Sequence, residues 1–179
     1  MKVSVERYKN LAALSSSAAM LVSTAAEGAV KERGLFTLVL AGGKTPRLLY
    51  ELLGAPPCKE SMPWPSIHLF WSDERFVPAA DPARNFQMAR EALISKVALP
   101  PANIHPMPID AGSPHAAAVA YEASLKDFFK KIPEQAVRII VVFLILAAGM
   151  FIVRQFIIPP EMKEMDLIQT STMEREAAK

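Results

Sequence analysis

"LVLAGGKTPRLLYELLG", residues Leu38–Gly54, passes from an apolar segment through two glycines into the start of a helix. The full apolar segment is "LFTLVLA", Leu35–Ala41. It is short and bounded by glycine, the pattern of a strand buried on both faces. Thr45 is a favourable N-cap and Pro46 suits the first helical position. A helix is therefore predicted from there to about Leu53, with Gly54 ending it. A buried strand followed by a glycine turn and a helix is the opening unit of a parallel α/β layer.

Working outward, "IHLFWS" (Ile67–Ser72) reads as a second strand. It stops at a charged cluster, Asp73, Glu74 and Arg75, within "WSDERFVPAADPARN" (Trp71–Asn85). A helix is predicted over Phe86–Val97, with Phe86, Ala89, Leu93 and Val97 on one face. "NIHPMPI" (Asn103–Ile109) suggests a further short strand. Ser113-Pro114 opens another helix, with Ala118, Tyr121, Leu125 and Phe128 pointing inward. The fold class expected is α/β, a partial Rossmann-like parallel sheet with flanking helices. Two or three strands make a thin sheet, so a partner chain completing it is one expectation.

Upstream, Leu11, Leu14, Ala18, Leu21, Ala25 and Ala29 recur at helical steps and predict an amphipathic helix closed by Gly34. The small-residue stretch 11–26 is not read as a secretory signal, because Glu6 precedes it and serines interrupt it. The net charge of +2 arises from 20 basic and 18 acidic residues with no long basic run, which argues against a nucleic-acid partner. Cys58 is the single cysteine, so neither an intrachain disulfide nor a cysteine-rich zinc site is expected.

Two places carry candidate chemistry. Gly42 and Gly43 let backbone N–H groups approach a ligand, and the helix start beyond them offers unpaired donors and a positive dipole end. Lys44 and the Thr45 hydroxyl add to this anion site. The stretch is neither a P-loop nor a dinucleotide fingerprint, and in isolation a plain capped turn is the favoured account of it. Arg75 is a bidentate fork for phosphate or carboxylate, with Asp73 and Glu74 beside it to orient it or to act as acid or base. A solvated loop with local ion pairs is the alternative. Both places fall at the C-terminal ends of predicted strands, where open α/β sheets bind their ligands.

"LVLAGGKTPRLLYELL", "WPSIHLFWSDERFVPAADPARNFQMAREALI", "NIHPM" and "AAAVAYEASLKDFF" together resemble the N-terminal half of the 6-phosphogluconolactonase family, related in fold to the glucosamine-6-phosphate isomerases. The resemblance extends over about residues 1–130. The form Trp71-Ser72-Asp73-Glu74-Arg75 favours the lactonase branch. The resemblance implies hydrolysis of 6-phosphogluconolactone to 6-phosphogluconate in the pentose phosphate pathway, with no metal or organic cofactor. By motif it places Gly42, Gly43, Lys44 and Thr45 in the substrate loop and Asp73 and Arg75 in the active site. Asn85 supports the loop that follows. The family's second half should bring a buried strand and a Gly-x-Asp-Gly-His-Thr-Ala-Ser-Leu-Phe motif, whose histidine activates water. No such motif occurs here; the only histidines are His68, His105 and His115. His68 reads as structural, His105 as a family position without assigned chemistry, and His115 as solvated. No catalytic residue is identified among them, and loss of a general base typically costs hundredfold or more.

"RIIVVFLILAAGMFIVRQFII" (Arg138–Ile158) interrupts this pattern. Ile139–Val153 lacks charge and spans roughly 22 Å as a helix, short of a hydrocarbon core near 30 Å. Residues 137–158 reach about 33 Å if the flanking arginines snorkel. A single transmembrane helix is therefore predicted there, with the family's missing buried strand as the alternative. Lys126, Lys130, Lys131 and Arg138 place the N-terminal part on the cytoplasmic side. The domain organisation expected is a truncated lactonase-like domain over 1–131, a membrane helix with its flanks over 132–160, and a polar tail over 161–179. The functional expectation is a lactonase-like site for a phosphorylated sugar lactone, inactive alone. Its rival is a membrane-anchored sugar-phosphate-binding module or a non-catalytic fusion remnant.

Overall fold

β2 (Phe36–Leu40) and β3 (Ile67–Trp71) lie side by side as parallel strands in a computed structural model that describes residues 5–131 and 150–152. Their register pairs Phe36 with Ile67 and Leu40 with Trp71. The predicted strand at Asn103–Ile109 is reduced to one parallel bridge, Leu69 with Ile104, closed by the His105 N–H donating to the Leu69 carbonyl at 2.9 Å. Prolines at 106 and 108 supply no further amide donors, which limits any extension of this ladder. A separate antiparallel pair joins β1 (Val5–Arg7) to β4 (Met150–Ile152).

Alternation along the strands divides the side chains between two faces. Phe36, Leu38, Leu40, Ile67, Leu69 and Trp71 enter the main core, packed with α1 (Leu11–Arg33), α2 (Thr45–Leu53) and Cys58 of the short α3 (Cys58–Ser61). Each fully buried large aliphatic there is worth about 1.5–3 kcal/mol relative to exposure. Thr37, Val39, His68 and Phe70 occupy the other face. There α5 (Pro114–Lys130) lays Phe128 and Phe129 against Phe70, with ring centroids 5.0 and 5.7 Å away. Helices on both faces of a parallel pair confirm the α/β class.

The helices predicted between residues 11 and 130 and the two predicted strands β2 and β3 are present, with shifts that have local causes. α1 is capped by the Asn10 side chain accepting from the Ala13 N–H, and it ends at Gly34 with φ +81°. Its buried face is rotated from the predicted one. Leu14, Ala18, Val22, Ala26 and Ala29 are buried, whereas Leu11 and Leu21 are 41% and 43% exposed. The small alanines permit a close approach to the sheet and α2, and this selects the alanine-rich stripe over the bulkier leucines. Thr45 is not the N-cap: Lys44 holds that position without a side-chain bond, and Thr45 is already helical. Gly54 ends α2 at φ −82° rather than in the left-handed region; a Cβ there would meet the Ala92 carbonyl oxygen at 3.0 Å. α4 (Asn85–Ala92) is shorter than the predicted 86–97, because Leu93 leaves helical geometry and a 3-10 turn (Ile94–Lys96) follows. In α5 the buried residue is Ala117, with Ala118 exposed, while Tyr121 is inward as predicted.

The predicted membrane span, 137–158, lies outside the described residues except for Met150–Ile152. Those three are extended and hydrogen-bonded to β1, not helical. Among the described residues no helix is long and apolar enough to cross a membrane. The tail predicted over 161–179 also lies outside the described residues.

Candidate functional site

At the C-terminal ends of the two strands, where the Ser72 N–H still donates to the Leu40 carbonyl at 2.9 Å, the backbone groups of Ala41 and Trp71 are each held by a tyrosine. The Tyr50 hydroxyl accepts from the Ala41 N–H at 2.8 Å and donates to the Ala41 carbonyl at 2.9 Å. Tyr121 does the same for Trp71, at 2.8 and 3.2 Å. Strand-end backbone groups without a ladder partner would otherwise be buried unpaired, at a cost of about 1–3 kcal/mol each. Burial pushes both phenols above their ordinary titration range, with the bonds to Ala41 and Trp71 opposing it. Each tyrosine is an aromatic with a polar tip on an apolar helix face, a signal in the sequence that points to a buried partner without saying which.

Beyond these plugs lie the glycine turn and the acidic-arginine cluster, and Asn85 joins them. Asn85 is the first residue of α4 and only 4% exposed. Its Nδ2 donates to the Asp73 carbonyl at 2.9 Å and to Asp73 Oδ2 at 3.0 Å. Its Oδ1 accepts from Arg75 Nη1 at 2.9 Å, and the same Nη1 donates to Asp73 Oδ2 at 3.1 Å. The opposite side of the carboxamide faces Gly42, where a Cβ would overlap it directly. Gly42 is thus a glycine for space. Gly43, at φ +93° with open space around it, is a glycine for backbone conformation.

Asp73 and Arg75 are 56% and 51% exposed, so the pair opens to solvent. Among the described residues Arg75 engages Asp73 and Asn85 through Nη1 alone, which leaves Nε and Nη2 as donors for an anion. Glu74, between them, is turned inward. Its side chain is 4% exposed and paired with Arg84, itself 7% exposed, at 3.5 Å. It accepts from the Asn85 N–H at 2.7 Å and the Phe86 N–H at 3.0 Å, capping α4 from outside the helix. Both oxygens of this carboxylate are thereby committed to partners within the protein.

Of the residues singled out in the sequence, Gly42, Asp73, Arg75 and Asn85 meet in one cluster. Lys44 is exposed at the α2 N-cap and Thr45 is half-buried in the first turn; neither bonds to the cluster. His68 and His105 do not approach it. They bond each other, Nδ1 to Nε2, at 3.1 Å on the α5-covered face, a pairing that their separation in sequence conceals. His115 is exposed. Among the described residues no group of three or more His, Cys, Asp or Glu side chains is placed to hold a metal ion.

A parallel α/β unit with a polar cluster at its strand ends has the layout in which open α/β sheets place their ligands. The chain matches the family model described as glucosamine-6-phosphate isomerases/6-phosphogluconolactonase over residues 9–146 and belongs to that family. It is 39% identical over 133 residues to a 6-phosphogluconolactonase of Nostoc sp., covering 74% of this chain and 54% of that protein. A 6-phosphogluconolactonase of Synechocystis sp. is 44% identical over 113 residues, covering 63% of this chain and 45% of the relative. In structure it resembles a 6-phosphogluconolactonase from Thermotoga maritima, with TM-score 0.57 and 31% identity, covering 64% of this chain and 50% of that one. The chain spans about half the length of the curated relatives it matches. The family match continues beyond residue 130, where the recognisable motifs stop, into the apolar run.

Proposed function

We propose that this chain carries the sugar-phosphate-binding half of a 6-phosphogluconolactonase site. The observation that carries the reading is the Asn85 carboxamide, which fastens Asp73 and Arg75 to each other and lies against Gly42, so that both family motifs form one surface. The substrate class is a phosphorylated sugar lactone. Gly43, Lys44 and the first turn of α2 supply backbone and ammonium donors, and the free edge of Arg75 supplies a planar pair. Asp73 holds Arg75 in place and contributes an exposed carboxylate for substrate hydroxyls.

Hydrolysis of a lactone needs a base to take a proton from the attacking water as its oxygen bonds to the carbonyl carbon. None of the three histidines bonds to Asp73, Arg75 or Asn85, and the family's histidine motif does not occur in the sequence. The chain by itself therefore binds substrate and turns it over slowly or not at all; a partner chain carrying the motif would supply the base. Membrane anchoring through 137–158 is the weaker reading, since the family match reaches residue 146, inside that run. Its test is carbonate extraction of the expressed protein, which releases an unanchored chain.

The deciding experiment is titration of the purified chain with 6-phosphogluconate, followed by release of that product from the lactone above the spontaneous rate. Saturable binding that Arg75→Ala weakens at least about tenfold supports the reading. Equal binding by both proteins removes it.

A further inference from the structure

Glu74 is the one carboxylate of the Asp73-Glu74-Arg75 cluster that faces away from any ligand, and its bonds join distant parts of the chain. Oε1 accepts from the Arg75 N–H at 2.8 Å and the Asn85 N–H at 2.7 Å. Oε2 accepts from the Phe86 N–H at 3.0 Å and from Arg84 Nη2 at 3.5 Å. Arg75 begins the loop 76–84 and Arg84–Phe86 ends it, so one buried carboxylate closes the loop at its base. Arg84 is committed to the same task. Its Nη1 donates to the Ala79 carbonyl at 3.2 Å, its guanidinium lies 5.2 Å from the centre of the Phe86 ring, and its Nε is buried with no partner among the described residues. The Arg84 guanidinium is thus tied to Glu74, Ala79 and Phe86 at the base of the loop.

We infer that Glu74 is a positioning residue for the anion site: by closing the loop it sets the backbone from which Arg75 and Asn85 project. α4 has no side-chain cap of its own, and the Glu74 carboxylate, ten residues upstream of its Arg84 partner, fills that role. A negative group at this end also opposes the helix dipole favourably. The Asn85 side chain is then free to serve Asp73 and Arg75 instead of capping the helix. This inference rests on the sugar-phosphate reading for its consequence and on local hydrogen bonding for its geometry, and the two can fail separately.

The test combines amide hydrogen exchange with 6-phosphogluconate titration on the full chain, for wild type, Glu74→Gln, Arg75→Ala and the double variant. In wild type the Asn85 and Phe86 amides should exchange as slowly as the interior of α4. In Glu74→Gln they should exchange at least about tenfold faster while β2 and β3 stay protected. Affinity should fall about tenfold in Glu74→Gln, yet no further when Arg75 is already alanine, because Glu74 acts through Arg75. An equal loss in both backgrounds, or fast exchange of Asn85 and Phe86 in wild type, overturns the inference. If wild type binds no 6-phosphogluconate the sugar-phosphate reading fails, and the exchange result alone then upholds or overturns the closure. Should Glu74→Gln not fold, the Glu74→Met, Arg84→Met pair replaces the ion pair with apolar groups of similar length and removes the carboxylate bonds to Arg75, Asn85 and Phe86 together with the Arg84–Ala79 bond.

Discussion

The Asn85 carboxamide occupies the space that a side chain on Gly42 would fill, so the loop after β2 and the helix after β3 touch with no room for one carbon. Gly42→Ala must push Asn85 off Asp73 and Arg75 or displace the turn itself. A loss of about 1–3 kcal/mol in unfolding stability is expected, the usual cost of overpacking, together with loss of 6-phosphogluconate binding. Gly43→Ala strains a left-handed residue by about 1–2 kcal/mol but meets open space. Chemical denaturation and ligand titration of the two variants should therefore give similar stabilities and unequal affinities.

Two neighbouring ion pairs in the cluster differ in burial and should differ in consequence. Arg84→Ala leaves the Glu74 carboxylate buried and uncompensated, which typically costs about 3–5 kcal/mol. Arg75→Ala breaks a half-exposed pair worth at most about 1 kcal/mol. Urea unfolding should show a large drop for the first and almost none for the second. Ligand titration should show a marked but measurable loss of affinity for Arg75→Ala.

The strand-to-helix turn and the acidic-arginine cluster are legible in the sequence because their signals are local. Gly42, Gly43 and Pro46 lie within five residues, as do Trp71 and Arg75. Strand direction follows from the intervening helix, so the C-terminal ends of β2 and β3 are brought together by topology alone. What is not legible depends on pairs distant in sequence. Periodicity marks α1 as amphipathic, but Ala26 and Leu21 compete for burial, and the surface of α2 and the sheet decides between them. Asp73 and Glu74 are equally good carboxylates in one dimension; the return of the chain at Arg84–Phe86 leaves one facing solvent and makes the other a cap. His68 and His105 are 37 residues apart, and only the Leu69–Ile104 bridge brings their rings together.

Tyr50 closes the end of β2 with both functions of its hydroxyl. Tyr50→Phe keeps the ring but leaves the Ala41 N–H and carbonyl unpaired, for an expected loss of about 1–3 kcal/mol. The phenol is also held protonated by burial, above its ordinary value near 10. Above about pH 10 the unfolded chain releases this proton and the folded chain keeps it, so the contribution of Tyr50 is full below that pH and declines as pH rises. Thermal unfolding between pH 9 and 11 should show a shallower alkaline decline in Tyr50→Phe than in wild type.

The His68–His105 bond imposes the opposite sign at the acid end. Burial lowers the affinity of both rings for a proton, and the charge on His105 adds to the effect at His68. The rings are flanked by Phe70 and Phe128, which offer no hydrogen-bond partner to a second proton. A bond between Nδ1 and Nε2 needs one nitrogen as donor and the other as acceptor, so it cannot survive protonation of both rings. The unfolded histidines gain protons below about pH 6.5 while the folded pair resists. Stability from the pair is thus complete above that value and is lost as pH falls through the lowered folded range. His105→Gln removes one titrating ring and part of this dependence. The decline in melting temperature from pH 7 to pH 5 should be smaller in His105→Gln than in wild type, and an identical decline would show that the pair is already charged in the folded chain.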